Sequence, residues 1–100
     1  SLPQMPTVLN RINKLLHQSY LEGQFPFLAG YYHVPKRKLL IVSAGLHVKI
    51  EANDRKYELS DSMPLGTLDT LYSSQTSLIT DRWLCQVWGA GGRLQLNASL

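Results

Sequence analysis

The sequence has a single cysteine, Cys85, among its 100 residues. A lone cysteine excludes a disulfide within the chain, so we expect a reducing compartment and a cytoplasmic protein. Its neighbours Leu84 and Gln86 supply no base that could activate a thiol, so Cys85 is interpreted as buried core filler. The sequence also has no apolar run of the roughly 20 residues that a membrane-spanning helix needs. Neither a membrane segment nor secretion is predicted.

Acidic residues are scarce, with seven Asp and Glu against ten Lys and Arg, for a net charge of +3. The one dense basic cluster, 36–38, directly follows Pro35. We interpret it as a solvated turn between two strands, because no Gly-rich or aromatic signature of a nucleic-acid module accompanies it. His17, His33 and His47 have no spacing that is diagnostic of zinc. We therefore expect no cofactor and no nucleic-acid partner.

The hydrophobic residues, 44% of the chain, predict one helix and several strands. Residues 7 to 22 predict an amphipathic helix, because their apolar side chains recur every three or four positions. Thr7 is the expected cap, and Gly23 the expected end. Strands are predicted where the apolar residues alternate or run together, at 27–34, 39–43, 46–51, 57–59, 72–79, 82–88 and 93–98. The prediction is an α+β fold, with one N-terminal helix followed by a mainly antiparallel meander of six or seven strands.

The order of four motifs resembles the C-terminal half of the bacterial type 2C serine/threonine phosphatases of the SpoIIE kind. That family has a hairpin, a strand ending in Ala-Gly-His, a Pro-Leu-Gly turn, and a strand ending in Thr-Asp-Gly. The corresponding segments here are Gly30-Tyr31-Tyr32-His33, Val42-Ser43-Ala44-Gly45, Met63-Pro64-Leu65-Gly66 and Asp81-Arg82-Trp83-Leu84-Cys85-Gln86-Val87-Trp88-Gly89. The resemblance implies part of a two-sheet sandwich flanked by helices.

The chain departs from the phosphatase pattern at the motif positions on which catalysis depends in that family. Family members bind two divalent cations, mainly through aspartates, and use them to activate a water. By resemblance, Trp88 stands at one aspartate position, and an indole offers one N–H donor and no anionic oxygen. Leu46 replaces the motif histidine, with His47 displaced by one residue, and no acidic residue follows Gly89. Leu46, Trp88 and Gly89 therefore mark degenerate motif positions, and we expect no catalytic residue, no metal ligand and no enzyme activity.

Within this group the chain is most similar to the effector domain of the RssB-type response regulators, adaptors for proteolysis of the general stress sigma factor. The similarity extends through Gly23-Gln24-Phe25-Pro26, Pro64-Leu65-Gly66-Thr67-Leu68 and Gly91-Gly92-Arg93-Leu94. It implies that residues 1–100 are a single partial domain, the C-terminal half of a pseudophosphatase effector domain. A receiver domain would precede it, and its partners would be the sigma factor and the ClpXP protease. The alternatives are an active metal-dependent phosphatase of the SpoIIE type and a structural dimerisation module.

Four aromatic residues are candidates for protein contact: Tyr31, Tyr32, Trp83 and Trp88. Large aromatic side chains often anchor interfaces, but in alternating strands we expect more of these four in the core than at a contact. The implied loss of half a sandwich also predicts at least one open sheet edge. We expect this edge to pair in a homodimer or with the first half of the domain.

Overall fold

The structure, a computed structural model, describes residues 5–18, 25–64, 73–89 and 91–100. Its elements are α1 (Met5–Gln18), β1 (Phe27–His33), a 3-10 turn (Val34–Lys36), β2 (Lys38–Ala44), β3 (His47–Ala52), β4 (Arg55–Leu59), β5 (Ser74–Ile79), β6 (Arg82–Gly89) and β7 (Gly92–Ser99). Among the described residues, no helix is long and apolar enough to cross a membrane. The α+β prediction is confirmed.

The helix begins before the predicted cap. It starts at Met5, so Thr7 lies within the first turn and its predicted capping role is wrong. Pro6 is compatible with this start, because a proline in the first turn removes an N–H that has no acceptor within the helix. The predicted end at Gly23 lies outside the described residues.

The strands form two antiparallel sheets, one with the order β1-β2-β5 and one with the order β4-β3-β6-β7. The hairpins β1-β2, β3-β4 and β6-β7 join strands that are adjacent in sequence. The other two pairings, β2 with β5 and β3 with β6, are not sequential. The fold is therefore not a simple meander, although the predicted antiparallel character is confirmed and the described residues contain seven strands, within the predicted number.

The core lies between the two sheets. The apolar strand β2 occupies the centre of the three-stranded sheet, where Leu39 and Ile41 face the core and Val42 on the opposite face is 1% exposed. On β3, Val48 and Ile50 are fully buried. Burial of each such side chain contributes about 1.5–3 kcal/mol. The predictions of a strand buried on both faces and of an alternating strand are thus confirmed.

The turn that joins β3 to β4 is also the predicted one. Asn53 and Asp54 adopt φ values of 54° and 60°. Asn and Asp tolerate this left-handed backbone better than most residues, and two such residues in a row suit a tight hairpin. This turn sets the register in which Val48 pairs with Leu59.

The end strand β7 carries an apolar face that the described residues leave uncovered. Val48, Val87 and Leu94 form one row across three adjacent strands, and their exposed fractions rise from 0% through 7% to 54%. Leu96, in the next row, is 39% exposed. A four-stranded sheet that packs against a three-stranded one extends beyond it, and β7 is the strand that remains uncovered.

Candidate functional site

Three of the sequence motifs meet at one end of the four-stranded sheet. The backbone N–H of Gly45 donates a hydrogen bond of 2.8 Å to Ser62 Oγ. Gly45 has a φ of +77°, and a Cβ at this position would lie 2.6 Å from the backbone nitrogen of Pro64. A Cβ on Gly89 would lie 2.8 Å from Leu46 Cδ2. We name these five residues, Gly45, Leu46, Ser62, Pro64 and Gly89, the motif edge.

The register of the sheet explains why these segments meet. β3 begins at His47, which pairs with Trp88 near the end of β6, so the residues just before β3 lie beside Gly89. The β6-β7 hairpin closes with Gly89 opposite Gly92, whose φ of +130° favours glycine. A shallow cleft of about 290 Å³ opens here, lined by Leu46, Val87, Gly89, Gly91, Gly92, Arg93 and Leu94.

The side chains at the motif edge do not fit the oxygen-ligated divalent cations of a type 2C phosphatase. Leu46 is apolar and packs against the core. Arg93 is a cation that donates hydrogen bonds only, and none of the described residues that line the cleft carries a carboxylate. Among the described residues, no three His, Cys, Asp or Glu side chains come together in a group that could hold a metal ion. Leu46 and Arg93 can instead bind a partner through apolar contact and positive charge.

Trp88 lies on the outer face of the same sheet, away from the core. Its ring meets the His47 ring edge-on, with centroids 5.5 Å apart and an interplanar angle of 77°. Lys49 Nζ lies 5.6 Å from the Trp88 ring centroid, which is within the range of a cation–π contact. His47 faces away from the buried Val48, as strand alternation predicts. Trp88 is therefore packed between an imidazole ring and a lysine ammonium group.

Two of the four aromatic candidates, Tyr32 and Trp83, pack against the core. Their rings are edge-on, with centroids 5.9 Å apart, and the Tyr32 hydroxyl donates a 2.6 Å hydrogen bond to the Thr80 carbonyl. The buried indole N–H of Trp83 finds no acceptor among the described residues. These contacts join the two sheets.

The other two aromatic candidates lie on different sheets. Tyr31 is partly buried on β1, opposite Leu40 of β2, whereas Trp88 is on β6. The structure thus brings Tyr32 to Trp83 and Leu46 to Gly89, but it does not gather the four aromatic residues on one surface. Their roles in protein contact stay predictions.

A larger groove of about 810 Å³ lies at the opposite end of the four-stranded sheet. There Asn53 Nδ2 donates to the Ile79 carbonyl at 3.0 Å, and Thr80 Oγ1 donates to the Arg82 carbonyl at 2.7 Å. Arg37 Nε and Asp81 Oδ1 form an exposed ion pair of 3.2 Å. Sequence reasoning missed this groove, because its walls come from three segments that are distant in sequence, 51–56, 80–84 and 97–99.

Cys85 is fully buried on β6, in the core cluster. Burial raises the pKa of its thiol above the ordinary value, because desolvation disfavours the thiolate. The interpretation of Cys85 as core filler is confirmed, since a thiol of this kind is a poor nucleophile.

Comparison with known proteins gives a match over nearly the whole chain, although no protein-family model matches it. The chain is 45% identical over 98 residues to the Regulator of RpoS of Escherichia coli strain K12. The proteins of the same name from Escherichia coli O157:H7 and Shigella flexneri give the same identity. The match covers 98% of this chain and 29% of each relative. The chain therefore spans less than a third of the length of these curated relatives.

Proposed function

We propose that this chain is the part of a regulator of RpoS that acts by binding its partner and catalyses no reaction. The observation that carries the proposal is the 45% identity over 98 residues to proteins named Regulator of RpoS. The identity covers nearly all of the chain, so the same fold is expected in both. The name of the relatives points to the sigma factor RpoS as the partner.

The chemistry of the motif edge supports a binding role. Leu46 is apolar, Arg93 is a cation, and none of the described residues of the cleft carries a carboxylate, so these side chains do not supply the oxygen ligands of the two cations that activate a water in a type 2C phosphatase. The glycine turns and the apolar frame around them are retained. This combination is typical of a pseudophosphatase domain that keeps its fold and has lost hydrolysis.

In more detail, we propose that the chain is part of the effector domain of a response regulator. It would form the C-terminal half of a phosphatase-like sandwich, follow a receiver domain, and act in the cytoplasm to deliver RpoS to the ClpXP protease. Under this proposal the receiver's phosphorylation changes how tightly the effector domain holds RpoS.

Two assays on the purified chain test the proposal. Immobilised chain is expected to retain purified RpoS, and manganese with a phosphoserine peptide is expected to give no turnover above buffer. Failure to retain RpoS contradicts the regulator assignment. Clear turnover that depends on manganese contradicts the binding-only role and revives the phosphatase alternative.

A structural dimerisation module is the second candidate, and the exposed leucines of β7 favour it. Leu94 and Leu96 lie on the core-facing side of an end strand with 54% and 39% exposure. An end strand with apolar side chains can pair with another copy. Light scattering across a concentration series decides: a monomer at high concentration argues against this candidate, and a stable dimer supports it.

A further inference from the structure

The outer face of the four-stranded sheet carries an aromatic residue with a histidine and two basic side chains in its own and the next row. His47, Trp88 and Arg93 stand in one row across β3, β6 and β7, and Lys49 begins the next row. His47 and Lys49 both contact the Trp88 ring, at centroid distances of 5.5 Å and 5.6 Å. We name these four residues the Trp88 surface. It is separate from the core, which lies on the other face of the sheet.

Positive charge is in excess on this surface. Arg93 is exposed and forms no ion pair within the part of the chain that the structure describes. Lys49 pairs with Glu58 at 3.6 Å, but Glu58 is on β4, the side of β3 away from Trp88. At the opposite end of the same face, Lys56 is matched by Glu51 at 4.0 Å. Arg82, which shares this face with Trp88 and lies at the opposite end of β6, also forms no ion pair among the described residues. Unpaired cations thus lie at both ends of the face, and at the Trp88 end the unpaired cation is accompanied by an indole.

Trp88 has the residue type and the packing that are typical of a residue that anchors a protein interface. The indole is partly buried, so its ring is already held by His47 and Lys49, and docking costs little side-chain entropy. Tryptophan and arginine are over-represented among the residues that dominate interface energies. An apolar side chain packed on the ring, with carboxylates beside it, would complement both the aromatic and the cations.

We infer that the Trp88 surface binds an acidic segment of a protein partner, one that presents an apolar side chain flanked by Asp or Glu. The inference deepens the proposed function and rests on it, with RpoS as the partner. Nucleic acid fits less well, since sequence-tolerant binding to single strands uses several aromatic side chains along a basic groove. Here a single indole stands on a face that also carries Glu51, Glu58 and a Gln86–Gln95 contact.

Binding of purified RpoS to the chain and to four variants tests the inference. Trp88→Ala removes the anchor, and Arg93→Glu reverses the unpaired charge. Lys56→Glu is the matched control, because it makes the same charge reversal at the far end of the same face. Trp88→Phe is the conservative variant, which keeps a ring. Circular dichroism and thermal melts establish which variants fold.

Trp88→Ala is expected to weaken RpoS binding at least about tenfold, with partial recovery in Trp88→Phe. Arg93→Glu is expected to weaken it several-fold and to flatten its salt dependence, since an attractive charge is lost. Lys56→Glu should bind like the wild type. If Trp88→Ala does not fold, Arg93→Glu compared with Lys56→Glu decides, because both residues are exposed.

The outcomes separate the inference from the proposed function. Wild-type binding of RpoS with no loss in Trp88→Ala and Arg93→Glu overturns the inference and leaves the proposed function intact. No wild-type binding of RpoS contradicts the proposed function and overturns the inference with it. Binding of a polyuridine oligonucleotide at least as tightly as RpoS, lost in the same two variants, assigns the surface to nucleic acid and also overturns the inference.

Discussion

Replacement of Gly45 by alanine tests how closely the residues of the motif edge are packed. Gly45 has a φ of +77°, and a non-glycine residue in this left-handed region costs about 1–2 kcal/mol. The new Cβ would also lie 2.6 Å and 2.7 Å from the backbone N and Cα of Pro64. Relief of an overpacked contact of this kind costs a further 1–3 kcal/mol, roughly. The expected loss in the free energy of unfolding is about 2–5 kcal/mol.

Urea denaturation followed by circular dichroism measures this loss, and thermal melting should show a drop of about 10 °C or more. Gly91→Ala is the matched control, because a Cβ there meets nothing within 4 Å, and its stability should stay within about 0.5 kcal/mol of the wild type. Gly89→Ala should be intermediate, since its contact is the flexible tip of Leu46. A Gly45→Ala variant as stable as Gly91→Ala would refute the close packing of Gly45 on Pro64.

Two further predictions concern the two tryptophans and the cysteine of β6. Trp83→Ala should lower the free energy of unfolding in urea by about 3 kcal/mol, because Trp83 packs against the core and Tyr32, whereas Trp88→Ala should cost only about 1 kcal/mol. Equal losses would contradict the assignment of the two indoles to opposite faces. The raised pKa of Cys85 means that the thiol ionises at lower pH in the unfolded chain than in the folded chain. The thiol's contribution to the free energy of unfolding is fully present below the ordinary thiol pKa. It decreases as the pH rises from there through the pKa that the thiol has in the folded protein. Cys85→Ala should remove that part of the pH dependence, and a thiol reagent should react slowly with the folded protein near neutral pH. Rapid reaction under native conditions would contradict the burial.

The predictable parts of the fold are those that depend on local pattern. The alternation of Val48 and Ile50 with Lys49 and Glu51 identifies both the strand and its buried face, because successive side chains on a strand point to opposite sides. Asn53-Asp54 identifies the hairpin turn, since both residues tolerate a positive φ. These features need no knowledge of which strands become neighbours.

The parts that escaped prediction depend on pairing between distant segments. Nothing local indicates that β2 pairs with β5, or that Gly45 packs on Pro64. The exposure of Leu94 likewise depends on how far the opposing sheet extends. The separation of the two tryptophans is a signal that the sequence does contain. Trp83 and Trp88 are five positions apart on one strand, and this odd separation places them on opposite faces.

The proposed function requires that the chain bind RpoS through its own surface. Calorimetric titration of purified RpoS into the purified chain tests it most directly, with a non-stress sigma factor as the specificity control. Saturable binding of RpoS is expected, with no comparable heat from the control sigma factor. No saturable heat with RpoS, or equal binding of both sigma factors, would contradict it.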